Sequence, residues 1–598
     1  MTNKKLLALV LVAVMALASL GTAFADAGSE PRWTEYDALI NEIKTTTDFA
    51  ARVKLMHQAE DILMGTGALV PIYYYNDLFM AKPAVQGYYS NPFGTKFFQH
   101  ATNGDNTTLK LNISSEPAFL DPALNSSVDG AILAAASFGG LYTYNAEGVL
   151  APNFATGYEL SEDGLTYVFT MRDGLKWSDG TPLTAKDFEY SWKRGANPET
   201  AADYSYNFNS IDGYYTYVYN TQGLGAYALV EGEYVKVDVD PVDGLTHGGY
   251  DLQPNLNVTA SEDGKTLTVV LYTPTAYFLD LVAFPIYMAV NQTTVEGAVG
   301  YKDAAGAVVN PGAWALEAGF VSSGPFTLES WTHEESMVYV KNPNYWDAAN
   351  VKLEKLEFML SADATVIYAA YQAGDLDFID TVPGDQIKGL IGTPEFHVIG
   401  QLGTYYAIFN VKSPLFNGKT VEQAAAMRKA LTLLIDRQYI IDTIVQTGPQ
   451  PANSFIPAGM LDGNGGVFKD AAGWNYPVGD GYFDLTPNLD AARELLKTAG
   501  YEFDANGLLA AATPLALNYI HNTSAAHAAV GEAMAQDFAQ LGITMTLSTM
   551  EWNVFLAERK AGNYDFARNG WIADFSDPIN MLEMWTTDSG NNDAQFGK

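Results

Sequence analysis

The chain has 598 residues, with 33 Lys and Arg against 69 Asp and Glu, a formal net charge of −36 and no cysteine. That charge repels a phosphate backbone, so no nucleic-acid partner is expected. The missing thiols exclude disulfide scaffolds, cysteine zinc sites, iron–sulfur clusters and thiol nucleophiles, and 48% hydrophobic residues supply enough apolar surface to exclude wholesale disorder.

Residues 1–25 read as a cleavable export signal. Lys4 and Lys5 give a basic start, Leu6 to Leu20 an apolar run, and Ala23-Phe24-Ala25 a cleavage word before Asp26. The run is shorter than the roughly 20 residues that span a bilayer. The mature protein is therefore expected outside the cytoplasm, in a periplasm or at the cell surface. No cysteine stands beside the cleavage point, so no N-terminal lipid anchor is expected.

From Trp33 to Leu63 apolar residues recur at helical spacing, with Thr47 or Asp48 as a cap between two helices. Val70 to Tyr75 reads as a buried strand, and Thr102 to Asn106 as a linker or tight turn before an alternating strand from Thr107. Asp163-Gly164 and Asp263-Gly264 mark two hairpins. Thr184 caps a helix from Ala185 to Trp192. The Tyr- and Gly-rich stretch 204–256 shows little periodicity. Further on come a strand at 353–360, helices at 365–372, 421–445, 489–499 and 526–540, a strand at 543–548 and a short helix at 552–559. This mixture predicts an α/β (α+β) protein of several lobes.

No motif specifies a catalyst. The seven histidines make no zinc spacing. Asp238, Asp240 and Asp243 lie close together, but not at EF-hand spacing, and a solvated acidic loop is the simpler reading. Phosphate-loop, dinucleotide-binding and nucleophile-elbow words are absent. No cofactor, no metal and no enzymatic activity are expected.

Several words occur together and in order: Gly174-Leu175-Lys176-Trp177-Ser178-Asp179-Gly180-Thr181-Pro182, Tyr190-Ser191-Trp192, Gly324-Pro325-Phe326, Lys341-Asn342-Pro343-Asn344-Tyr345-Trp346, Met427-Arg428-Lys429-Ala430-Leu431 and Gly570-Trp571-Ile572-Ala573-Asp574. In these the chain resembles the oligopeptide-binding (OppA-type) family of extracytoplasmic solute-binding proteins, which feed ABC importers. The resemblance covers nearly the whole mature chain. It departs in one respect. The family's C-terminal words stand here at the front, as Tyr36-Asp37-Ala38-Leu39-Ile40, Ala59-Glu60, Pro71-Ile72-Tyr73-Tyr74-Tyr75, Lys82-Pro83 and Gly87-Tyr88-Tyr89. The chain thus looks circularly permuted, with residues 102–106 joining the family's C- and N-termini.

The resemblance implies a three-lobed fold of the type II periplasmic-binding-protein kind, with the ligand cleft between two main lobes. Lobe I combines 71–128 with 258–360, lobe II is 129–257, and lobe III combines 31–70 with 361–598. It implies a monomer that captures an oligopeptide and delivers it to the permease subunits of an ABC importer. Asp574 is then expected to hold the peptide ammonium. Arg568, Arg559 and His527 hold its carboxylate according to peptide length. Gly570 and Trp571 lie on the strand to which the peptide backbone adds, and Trp552 and Trp571 wall side-chain pockets. Glu116 and Tyr190 line the cleft, and Asn522 contributes beside His527. Other readings stay open: a dipeptide, an oligosaccharide or a metal complex as ligand, or a secreted glycosidase.

Overall fold

The computed structural model describes residues 32–113, 116–221, 226–230, 233–237, 256–471 and 473–598. The expected signal at 1–25 and the acidic loop with Asp238, Asp240 and Asp243 lie outside the described residues.

Arg32–Thr45 (α1) and Phe49–Gly65 (α2) form the expected helix pair, and Asp48 caps α2 by accepting from the N–H groups of Ala50 and Ala51. The next strand, Leu69–Ala81 (β1), runs beyond the six residues expected. Asn76 and Asp77 look like a polar stop, yet both are satisfied inside: the Asn76 amide donates to the Thr447 carbonyl at 3.2 Å and Asp77 pairs with Lys96 at 2.9 Å. Val85–Gln86 and Thr102–Asn103 pair as short strands, and Gly104, at φ +57°, turns the chain into Thr108–Asn112 (β2). Val128–Ser137 (α3) follows, capped by Ser127.

Ala155–Leu160 (β3) and Thr166–Met171 (β4) make the first hairpin. Ala185–Ala196 (α4) runs four residues further than the pattern suggests, and Thr184 and Asp187 close its capping box. The stretch of little periodicity contains a 3₁₀ turn at Ser205–Ser210, a helix at Tyr214–Thr221 and a hairpin of Ala226–Val230 with Glu233–Val237. Bulky aromatics such as Phe208 and Tyr214 bury themselves there without a clear period. Val258–Ala260 (β5) and Thr266–Val270 (β6) form the second hairpin, and Phe278–Val282 (α5) follows.

The remaining strands are Phe326–Thr332 (β7), Ser336–Lys341 (β8), Lys355–Met359 (β9), Phe378–Ile379 (β10) and Phe396–Phe409 (β11). The helix expected over 421–445 stops as Val421–Leu434 (α6), because Asp436 starts a new turn by accepting from the Tyr439 N–H. Ala516–Asn522 (β12), Ala525–Ala539 (α7), Thr544–Met550 (β13), Trp552–Ala561 (α8), Phe566–Ile572 (β14) and Ile579–Glu583 (α9) complete the chain.

Among the described residues the largest sheet has the order β7-β8-β9-β2-β10-β1-β11-β14-β12-β13, and a smaller one the order β5-β6-β4-β3. β1 therefore sits mid-sheet. It pairs antiparallel with β11 from Leu69↔Ile408 to Met80↔Phe396, with register shifts between Pro71 and Tyr73 and between Tyr74 and Asn76. The early helices pack on the end of the chain. Trp33 stacks on Phe596 with ring centroids 3.7 Å apart and donates to the Trp585 carbonyl at 3.0 Å. Tyr36 donates to the Leu582 carbonyl at 2.7 Å, and buried Arg52 grips Asp577 through two bonds of 2.7 and 2.8 Å.

Candidate ligand-binding site

A cavity of about 530 Å³ lies against β14, within the ~300–1,000 Å³ range of small-ligand sites. One wall is β14 and the turn after it, with Arg568, Gly570, Trp571 and Asp574, joined by Trp552, Leu556 and Arg559 of α8. The rest of the lining comes from the start of α3, from Phe93 and Phe97, and from Tyr144, Tyr204 and Asp280, and the Lys560–Asp203 ion pair, at 3.2 Å, ties α8 to the segment of Tyr204.

β14 is placed by β11, which pairs with it from Gly403↔Ile572 to Phe409↔Phe566. Its other edge meets β12 only at Phe566 and Ala567. Beyond Ala567 that edge has no strand neighbour among the described residues. Gly570 leaves room for Tyr75, since a Cβ there would lie 2.1 Å from the Tyr75 hydroxyl oxygen and would force that side chain to shift.

Asp574 is 8% exposed. The Asn580 amide donates to its carboxylate at 3.0 Å, while the Asn580 Oδ1 accepts from the Asp574 N–H at 3.1 Å and from the Trp571 indole at 3.0 Å. Burial pushes the Asp574 carboxyl up to about 7, against the hydrogen bonds of Asn580 and Tyr204. No Lys or Arg pairs with it among the described residues.

Arg568 is the opposite case. Its Nη2 donates to the Tyr75 hydroxyl at 3.1 Å, its guanidinium lies 5.3 Å from the Tyr405 ring centroid, and its Nε has no partner. Burial opposes its charge, but the surrounding phenols, Tyr75 and Tyr405 first, outweigh burial and hold it protonated. No carboxylate pairs with it among the described residues. Arg559, also in the wall, already has one: its Nε lies 2.8 Å from an Asp593 oxygen.

Trp552, 41% exposed, and Trp571 both line the cavity, as expected. Four expected residues do not. His527 sits behind the wall, its Nδ1 sharing a 3.1 Å hydrogen bond with the Tyr405 hydroxyl. Burial, then Arg568 and His521, hold it well below its ordinary value, so it stays neutral rather than cationic. Asn522 ends β12 with its Oδ1 buried and unpartnered, away from the cavity. Glu116 turns instead to His333 Nδ1, at 2.6 Å, and to the Glu334 N–H, at 2.8 Å. Tyr190, on α4, buries its hydroxyl beside Arg194, Tyr301 and Glu296. Tyr75, Tyr204, Asp280 and Asn580 were not anticipated. Each comes from a segment remote in sequence from the Gly-Trp-Ile-Ala-Asp word or lacks any pattern of its own, and only folding brings them together.

An α/β frame that encloses a partly apolar cavity, lined by a buried carboxylate and a half-buried guanidinium that have no counter-charge among the described residues, fits a solute-binding protein. The sequence profile of the bacterial extracellular solute-binding proteins, family 5 Middle, matches residues 149–593, and the chain belongs to that family. The oligopeptide-binding protein OppA of Bacillus subtilis is 32% identical over 501 residues, which cover 82% of this chain and 79% of that protein. Among solved structures, OppA of Burkholderia pseudomallei superposes with a TM-score of 0.64 at 25% identity, covering 82% of this chain and 85% of the other. The murein tripeptide binding protein MppA of Escherichia coli gives 0.64 at 26% identity, with coverage of 82% and 84%. The mixed α/β architecture is thus that of these periplasmic binding proteins. No described helix is long and apolar enough to cross a membrane.

Proposed function

We propose that this chain captures short peptides outside the cytoplasm, without turning them over, and hands them to the permease of an ABC importer. The observation that carries this reading is a pair of opposite charges in one cavity, buried Asp574 and half-buried Arg568, each without a counter-charge among the described residues. A zwitterionic peptide supplies a counter-charge to each, and a buried charge left alone is costly. The two residues are six positions apart on β14 and its following turn, a reach of at most about 20 Å. The free edge beyond Ala567 accepts the peptide backbone as an added strand. Arg568 grips the carboxylate; Arg559 and His527 are weaker candidates, one already paired and the other neutral.

Isothermal titration with one short peptide in free, N-acetylated and C-amidated forms tests this. Both caps are expected to weaken binding strongly. Equal affinity for all three forms overturns the reading and points to another solute.

We also propose that the order of segments is a circular permutation of the family's. The helices at 32–65 complete a lobe begun by later residues, and the turn at 102–106 joins two elements that the family leaves as ends. The lobe boundaries expected from the resemblance are part of this proposal, with β5 and β6, which pair with β4, moved to 129–257. Intact-mass measurement of the protein recovered from its native source checks the order. A product without residues 33–99 removes the permutation.

A further inference from the structure

The cavity holds more negative than positive charge awaiting a partner. Asp577, just after Asp574, is neutralised by Arg52, and Asp203 by Lys560. Arg559 is neutralised by Asp593. Asp574 and Arg568 remain, and a zwitterionic peptide satisfies both. One further carboxylate in the wall is then still unmatched: Asp280 of α5.

Asp280 accepts a short hydrogen bond from the Tyr144 hydroxyl through Oδ1, and no Lys or Arg pairs with it among the described residues. α5 lies directly against the Asp574 turn. Tyr277, one helical turn before Asp280, stacks on Phe575, the residue after Asp574, with ring centroids 4.4 Å apart and planes 6° from parallel. Asp280 is therefore on the same side of the cavity as the group assigned to the peptide ammonium. Tyr144 fixes the carboxylate through one oxygen and leaves the other free to accept.

We propose that Asp280 is a specificity-determining residue that receives a cationic side chain, lysine or arginine, from one of the first two residues of the bound peptide. The inference rests on the peptide reading above. It adds a preference within that reading: a peptide with one basic residue near its amino end matches all three unpaired charges, whereas a neutral peptide leaves the half-buried Asp280 without a counter-charge. Burial pushes the Asp280 carboxyl up, and a charged ammonium or guanidinium against it restores the ionised form through a charge-assisted hydrogen bond.

The test is calorimetric titration of the full chain with alanine peptides of three and four residues, carrying lysine, norleucine or glutamate at position 1 or 2. Norleucine keeps the side-chain length and drops the charge. Lysine at one of the two positions is expected to bind at least about tenfold tighter than norleucine there, and glutamate more weakly than either. Asp280→Asn is expected to abolish the lysine advantage, with an unchanged circular dichroism spectrum reporting that the variant folds. Lysine and norleucine peptides of equal affinity on the unaltered protein overturn the inference without recourse to any variant. So does a lysine advantage that survives in Asp280→Asn. If neutral peptides bind without a lysine gain, only the role of Asp280 falls. If no peptide binds, the peptide reading falls and Asp280 with it.

Discussion

Arg568 and Asp574 carry opposite charges on one strand and its following turn, one half-buried and the other buried, and neither has a partner of opposite charge among the described residues. They do not neutralise each other. Instead Asn580 holds the carboxylate and Tyr75 the guanidinium. Asp574→Asn should weaken the binding of unmodified peptides by about 2–5 kcal/mol, the usual effect of truncating one member of a buried charge pair. An acetylated peptide should lose much less. Because burial sets the empty-site carboxyl at about 7, affinity should fall as pH drops below that value, as Asp574 must release a proton to hold an ammonium. Titrations at several pH values read this directly, and a flat profile in the parent protein argues against the assignment.

Glu60 and His57 should give opposing pH dependences of stability. Burial raises Glu60 to about 7 and lowers His57, stacked between Phe468 and Trp474, to about 4. As pH falls from about 7 towards 4.5 the folded chain takes up the Glu60 proton before the unfolded chain does, so stability rises. As pH falls from 6.5 to about 4 the unfolded chain protonates its His57 first, so stability is lost. Glu60→Gln, which can still accept from the Ile456 N–H now bonded at 3.0 Å, should expose the His57 slope. His57→Phe should expose the Glu60 slope. Calorimetric Tm profiles from pH 4 to 8 that stay parallel in all three proteins contradict both assignments.

Gly570→Ala should cost about 1–3 kcal/mol through overpacking, because the new methyl meets the Tyr75 hydroxyl. It should also loosen Arg568, whose Nη2 bonds that hydroxyl. Tyr75→Phe removes the clashing oxygen, so the double variant should recover part of the lost stability but not of the binding. A denaturant-unfolding cycle measures the coupling, and additive single effects count against this contact.

Arg52→Leu leaves Asp577 buried without its partner and should destabilise by about 3–5 kcal/mol. Since Arg52 lies on α2 and Asp577 beside α9, the loss should appear as early exposure of both 32–65 and 577–596 in hydrogen exchange. Protection lost in only one of these segments shows that they do not unfold as a unit.

Much of this was legible in the sequence where local chemistry decides. The Thr184 cap, the two Asp-Gly hairpins and the Asp48 cap depend on neighbours only a few residues away. Asp574, Gly570 and Trp571 were legible through a word that a family shares, and Arg568 and Trp552 through positions that the resemblance matches. Elements whose limits depend on distant partners were not. β1 continues through Asn76 and Asp77 because Thr447 and Lys96 are there to receive them. Tyr75, Tyr204, Asp280 and Asn580 converge from four separate segments, and Glu116 and Tyr190 turn away to partners that no spacing announces.

The position of β1 also imposes an order of events on synthesis. A ribosome completes Leu69–Ala81 early, but its two neighbours in the sheet, Phe378–Ile379 and Phe396–Phe409, emerge long afterwards. For all that time the strand has two bare edges, the feature most prone to mispairing, and closing it requires contacts distant in the chain, which slows folding. A nascent or translocating copy of this protein therefore cannot build the middle of its largest sheet piece by piece; that sheet must wait for most of the polypeptide to arrive.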